Sequence, residues 1–161
     1  MGKLTLIGLP IGNLGDLTPR ALEKLQEAQI IFAEDTRSFK EFLKRISVNY
    51  SSKEIYSFHD QSDDNRSGKI ATDYKGRDIV CVSEAGSAYI SDPAYPLVQA
   101  ALKEGFQIET CPGVSAVQCA LELSGLPPIP YTFLGFFPRE TSKQKEYIAK
   151  IISGKSTYII F

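Results

Sequence analysis

Residues 4–9, 30–33 and 79–82 are apolar at nearly every position, not at every second one. A strand with one wet face alternates; a strand covered on both faces does not. Runs of this kind therefore call for a parallel sheet with helices above and below it. A fourth apolar run covers 158–161, and weaker strand candidates lie at 55–58, 107–111 and 131–134. Between them fall helical periods. Thr18 precedes Pro19 as a cap, and Ala21, Leu22, Leu25 and Ala28 form one face. Ser38 and Glu41 have capping-box spacing, with Phe39, Phe42, Leu43 and Ile46 around them. A polar stretch from Ser62 ends in Ile70, Ala71 and Tyr74, and Asp92-Pro93 opens a segment carrying Leu97, Ala100 and Ala101 before Gly105. Ala116, Val117, Ala120 and Leu121 mark a fifth helix, and Tyr147, Ile148, Ile151 and Ile152 a sixth.

Strand–helix alternation over residues 1–124 predicts an α/β domain with a mainly parallel sheet, flanking helices and right-handed crossovers. Residues 125–130, with Pro127, Pro128 and Pro130, are hostile to helix and read as an interdomain linker. The remaining stretch, 131–161, is too short to bury a core of its own and is expected to be the start of a second, incomplete α/β domain.

Composition narrows the function classes. Eighteen basic against nineteen acidic residues give a net charge of −1, so any grip on nucleic acid must come from a local patch. Cys81, Cys111 and Cys119 form no C-x-x-C pair, and His59 is the single histidine, which argues against a metal site and for free thiols in a reducing compartment. No apolar run approaches the roughly 18 residues of a membrane span, and no signal-peptide core follows Met1. A cytoplasmic protein without membrane or metal partners is expected.

In an open parallel sheet, ligands bind outside the carboxyl ends of the strands. The unusual residues collect in the segments that follow the predicted strands: Gly8 to Asp16, Glu34-Asp35-Thr36-Arg37, His59-Asp60-Gln61, Ser83 to Asp92, and Pro112 to Ala116. Gly8, Gly12 and Gly15 do not match the dinucleotide pattern G-x-G-x-x-G, and Pro10 removes an N–H that a pyrophosphate would use. The residues alone thus predict a small-molecule or nucleotide site on the rim.

Six strings in order along the chain resemble the tetrapyrrole (corrin/porphyrin) methylase superfamily, in particular its ribosomal RNA cytidine 2′-O-methyltransferase branch. They are Pro10-Ile11-Gly12-Asn13-Leu14-Gly15-Asp16, Ala33-Glu34-Asp35-Thr36-Arg37, Ile90-Ser91-Asp92-Pro93, Pro112-Gly113-Val114-Ser115-Ala116, Ser124-Gly125-Leu126-Pro127 and Gly135-Phe136-Phe137-Pro138-Arg139. The resemblance implies two α/β domains, S-adenosyl-L-methionine (SAM) as cofactor, usually a homodimer, and 16S ribosomal RNA or the small ribosomal subunit as substrate. It assigns Pro10, Glu84, Ala85, Gly86, Ser87, Ile90, Ser91, Ser115 and Ala116 to the cofactor. Two departures stand out. The family's D-A-G-T-P-G loop is here Glu84-Ala85-Gly86-Ser87-Ala88-Tyr89, and its H-E-H-N-E stretch is His59-Asp60-Gln61-Ser62-Asp63.

Removing the proton of a ribose hydroxyl calls for a general base; the candidates on the rim are Asp35, Glu34, Asp60 and His59, with Asp35 and His59 taken as the catalytic pair. A histidine with a pKa of about 6.5 accepts a proton near neutrality; a lone loop histidine also serves as a structural donor. Asp35 equally suits a helix cap paired with Arg37. Glu34, Arg37 and Arg139 are candidate substrate contacts. Arg37, Lys40, Lys44 and Arg45 form a basic strip that reads either as an RNA contact or as a solvated helix face. Methylation of a tetrapyrrole or another small acceptor is an alternative, as is a non-catalytic SAM-binding module.

Overall fold

The computed structural model describes residues 1–58, 64–90 and 94–161, with the side chains of residues 64 and 65 left aside. The candidates His59, Asp60 and Ser91 lie outside the described residues. Contacts divide the chain into two compact units, Met1–Val114 and Ser115–Phe161.

In the first unit, β1 (Lys3–Ile7), β2 (Ile30–Ala33), β3 (Glu54–Ser57), β4 (Ile79–Val82) and β5 (Gln107–Cys111) form one sheet in the order β3-β2-β4-β1-β5. Every neighbouring pair is parallel. All four residues of β2 and of β4 are buried, as their unbroken apolar runs predict. Helices α1 (Pro19–Glu27) and α2 (Thr36–Arg45) cover one face through Ala21, Leu25, Phe39 and Leu43. Helices α3 (Asp64–Asp73) and α4 (Ala94–Lys103) cover the other through Ile70, Leu97, Val98 and Ala101. Each fully buried Leu or Ile contributes about 1.5–3 kcal/mol by leaving water. The result is a doubly wound α/β unit.

Local chemistry fixes the helix starts. Thr18 Oγ1 accepts from the Ala21 N–H at 3.2 Å, with Pro19 at the first helical position, as the sequence predicts. Helix α2 starts differently from expectation. Asp35, not Ser38, is its N-cap, with the Asp35 carboxylate accepting from the N–H groups of Arg37 (2.7 Å) and Ser38 (3.4 Å). The capping-box spacing of Ser38 and Glu41 is incidental: Ser38 is already inside the helix, and Glu41 pairs with Lys44 at 3.3 Å.

The second unit contains α5 (Ala116–Ser124), β6 (Tyr131–Phe133), α6 (Thr141–Ser153) and β7 (Thr157–Ile159). Strands β6 and β7 pair in parallel as a two-stranded sheet. Helix α5 ends on Gly125 at φ +66°, the left-handed stop that glycine adopts without a Cβ penalty. Helix α5, which the rhythm of the sequence groups with residues 1–124, makes its contacts with β7 here. Neither α5 nor α6 buries a residue fully, and Leu123, Ile129 and Ile152 are each about four-fifths or more exposed. Among the described residues, no helix is long and apolar enough to cross a membrane.

Candidate functional site

Sheet order decides where a ligand fits. The chain leaves β2 toward the β3 edge over one face and leaves β4 toward β5 over the other. Connections diverging from two adjacent parallel strands open a crevice at their carboxyl ends. Glu34, Asp35, Ser38, Phe39 and Phe42 line it from the β2 side, Ser83 and Glu84 from the β4 side, with Leu9 from the β1 loop. The sheet thereby brings together Glu34, Asp35 and Glu84, three of the candidates read from the sequence.

Glycine backbone shapes the rim beside this crevice. A Cβ at Gly8 would stand 2.6 Å from the Gly113 nitrogen, and a Cβ at Gly113 would stand 2.9 Å from the Gly8 oxygen. The β1 and β5 loops therefore cross main chain against main chain, a close approach that only glycine permits. Leu9 and Gly86 exchange both backbone hydrogen bonds, at 2.9 and 3.0 Å, as an isolated antiparallel bridge. Gly86 holds φ +71°, and the buried Ser83 hydroxyl donates to the carbonyls of Ala85 (3.1 Å) and Gly86 (3.3 Å). Ser87 Oγ accepts from the Tyr89 N–H at 3.2 Å. Pro10 is buried behind the bridge, whereas Glu84 and Ala85 are exposed at the rim.

The Tyr89 ring packs edge-on against Tyr95, with centroids 5.8 Å apart, and Ile90 beside it is about half exposed. Asp35 caps α2, and the two backbone N–H groups, ahead of the 3.5 Å Arg37 guanidinium, hold its carboxyl below the usual range. Such a carboxylate stays ionised and is a weak proton acceptor. Arg37 projects into solvent. Ser115 is the N-cap residue of α5 without a side-chain cap bond, and Ala116 opens that helix. Arg139 is exposed in the second unit. Sequence reasoning places Ser83 on the rim but misses its hydrogen bonds, and misses the Gly8–Gly113 crossing. A serine directly after a fully apolar strand was the available signal for the first.

A roomier cleft of about 530 Å³ lies at the opposite, amino-end side of the sheet, lined by Lys3, Thr5, Lys24, Glu27, Asp78 and Glu109 among others. Its charges are already engaged with one another: Lys3 with Glu109 at 2.7 Å, Lys24 with Glu27 at 3.0 Å, and the Lys3 N–H with Asp78 at 2.9 Å. Chemistry, not volume, favours the carboxyl-end crevice. Among the described residues, no group of three His, Cys, Asp or Glu side chains is placed to hold a metal ion.

Residues 3–161 match the family model of the Tetrapyrrole (Corrin/Porphyrin) Methylases. The chain belongs to this family. Among curated relatives of this methylase chain, the "Ribosomal RNA small subunit methyltransferase I" of Halalkalibacterium halodurans is 38% identical over 161 residues, covering 99% of the chain and 55% of that protein. The protein of the same name from Thermotoga maritima is 38% identical over 162 residues, covering 100% of the chain and 71% of its own length. The methylase chain thus spans a little over half to about seven-tenths of these two relatives. Among solved structures, diphthine synthase superposes with a TM-score of 0.72 at 16% identity, over 100% of the chain and 64% of that structure. The methyltransferase CobJ gives 0.63 at 22% identity, over 94% of the chain and 62% of its own. These two likenesses establish the methylase fold.

Proposed function

We propose that this chain forms the SAM-binding portion of a methyltransferase that modifies the 2′-hydroxyl of a cytidine in 16S ribosomal RNA. The observation that carries this reading is the 38% identity, over essentially the whole chain, to relatives named ribosomal RNA small subunit methyltransferase I. A cytoplasmic homodimer is the setting that the family resemblance implies.

The rim supports the cofactor. Gly8, Gly86 and Gly113 remove side chains where the β1, β4 and β5 loops meet, and the left-handed Gly86 turns its loop back onto Leu9. Pro10 would border the adenosine or methionine part of SAM through its backbone, and the run Glu84-Ala85-Gly86-Ser87, with Ile90 and Ser91, would wrap its methionine and sulfonium end. The resemblance also assigns Ser115 and Ala116 to the cofactor; free N–H groups at a helix start suit a carboxylate. When bound, SAM supplies an electrophilic methyl group.

The protein's task is then alignment of a ribose oxygen with that carbon, together with proton removal. Asp35 is committed to capping α2 and held ionised, so it contributes field and positioning on the rim, and His59 remains the proton-acceptor candidate. Glu34, Arg37 and Arg139 would contact the RNA.

Isothermal titration of the chain with SAM, followed by incubation of tritiated SAM with purified 30S subunits, tests the proposal. Heat on titration and label on a cytidine ribose are expected. No heat with SAM or S-adenosylhomocysteine would overturn the cofactor reading, and label only on small acceptors would overturn the RNA reading.

A further inference from the structure

Charge is segregated on α2 as on no other helix of the first unit. Arg37, Lys40, Glu41, Lys44 and Arg45 are all exposed, and the core side of the helix holds Phe39 and Leu43. At 100° per residue the five fall within about 140° of the helix circumference. Four cations and one carboxylate leave that stripe at +3. The corresponding face of α1 carries Arg20, Glu23, Lys24 and Glu27 and sums to zero.

The distribution along α2 is informative. Lys44 and Arg45 sit in the last turn, where the helix dipole favours cations. Arg37 is the second helical residue, at the end where that dipole disfavours a cation. The dipole accounts for the far end of the stripe, and the Asp35 carboxylate at 3.5 Å for Arg37 at its beginning. That beginning is at the carboxyl end of β2, two residues from Asp35 in the crevice. From Arg37 to Arg45 the stripe is about 12 Å long.

We infer that the exposed face of α2 is a phosphate track that carries a single-stranded segment of the RNA substrate to the crevice. This rests on the RNA reading above and adds the surface that would do the holding. A track of cations neutralises phosphates and releases counterions, so its signature is salt dependence and not base preference.

The test is fluorescence titration of the full chain with a labelled mixed-sequence single-stranded RNA dodecamer between 0.05 and 1 M KCl, alongside SAM calorimetry on every variant. Substituting Lys40→Ala, Lys44→Ala and Arg45→Ala together should lower the slope of log K against log salt by about 2. That corresponds to about 100-fold weaker binding at 0.1 M, converging at 1 M. Glu41→Gln should tighten binding several-fold, a gain that misfolding cannot produce. Slopes equal to wild type, or stronger retention of poly-glutamate than of RNA, would overturn the track. With SAM binding intact, either result leaves the methyltransferase reading standing; absence of SAM binding in the wild-type chain would instead sink that reading whatever the slopes.

Discussion

Gly8→Ala offers the sharpest test of how the rim is built. The added Cβ would lie 2.6 Å from the Gly113 nitrogen and 2.9 Å from its Cα, against about 3.5 Å or more for an ordinary contact. The two backbones must part by about 1 Å, which also stretches the 2.9 Å bond from the Gly8 N–H to the Cys111 carbonyl. Overpacking of this kind costs about 1–3 kcal/mol and a weakened backbone bond about 1. Reduced freedom of the unfolded chain returns about 0.4–1 kcal/mol. The net loss is about 2 kcal/mol. With a denaturant slope of about 1.5 kcal/mol/M, the urea midpoint followed by circular dichroism should fall by about 1.3 M at unchanged slope. Gly68→Ala supplies the opposite sign: Gly68 lies inside α3 with nothing within 4 Å of a new Cβ, so helix propensity should raise stability by about 0.8 kcal/mol. Gly8→Ala combined with Gly113→Ala should cost less than the sum, since both strain one crossing. A Gly8→Ala midpoint at or above wild type, or strictly additive costs, would refute the main-chain crossing.

Asp35→Asn should keep an N-cap acceptor and lose only what the charge contributes, whereas Asp35→Ala should lower the urea midpoint further; equal midpoints for the two variants would show that the cap hydrogen bonds do not hold α2. Lys53 Nζ donates to the carbonyls of Gln26 (2.7 Å) and Ala28 (2.6 Å) at the end of α1, so Lys53→Met should cost about 1 kcal/mol in the same assay. Acid should weaken the fold in a defined window. Asp35 is lowered by the N–H groups of Arg37 and Ser38, Glu54 by the Tyr56 hydroxyl and then Arg77, and Glu109 by Lys3. Each contributes stability that is complete above its unfolded pKa of about 4 and is lost as pH falls through the folded value. A urea midpoint that stays flat from pH 5 to pH 2.5 would contradict this, and Glu109→Gln should flatten the curve in part.

Much of the architecture was legible because burial leaves a plain trace. Unbroken apolar runs marked β2 and β4, and the Thr18-Pro19 start of α1 follows from local hydrogen bonding alone. The expectation of a site at the strand ends came from the α/β rhythm, and a crevice lies there. What local pattern does not carry is sheet order. Insertion of β4 between β2 and β1 is a non-local choice, and it alone sets Glu84 opposite Asp35. The start of α2 was misread for a related reason. Ser38 and Glu41 match a capping spacing, but Asp35 takes the N–H groups of Arg37 and Ser38 and so starts the helix before Ser38, and one motif does not reveal a competitor three residues upstream. Helix α6 shows the reverse. Its Tyr147, Ile148, Ile151 and Ile152 period is correct for a helix, yet Ile148 and Ile152 stay exposed within this chain.

The reciprocal pair of bonds between Leu9 and Gly86 has a mechanical consequence. Each amide is protected by the other loop, so neither can open to solvent without releasing both. Deuterium uptake at the two positions should therefore proceed at one shared rate, and a molecule that seats against either segment should slow both. The stitch makes two stretches of chain that are far apart in sequence respond as a single jaw.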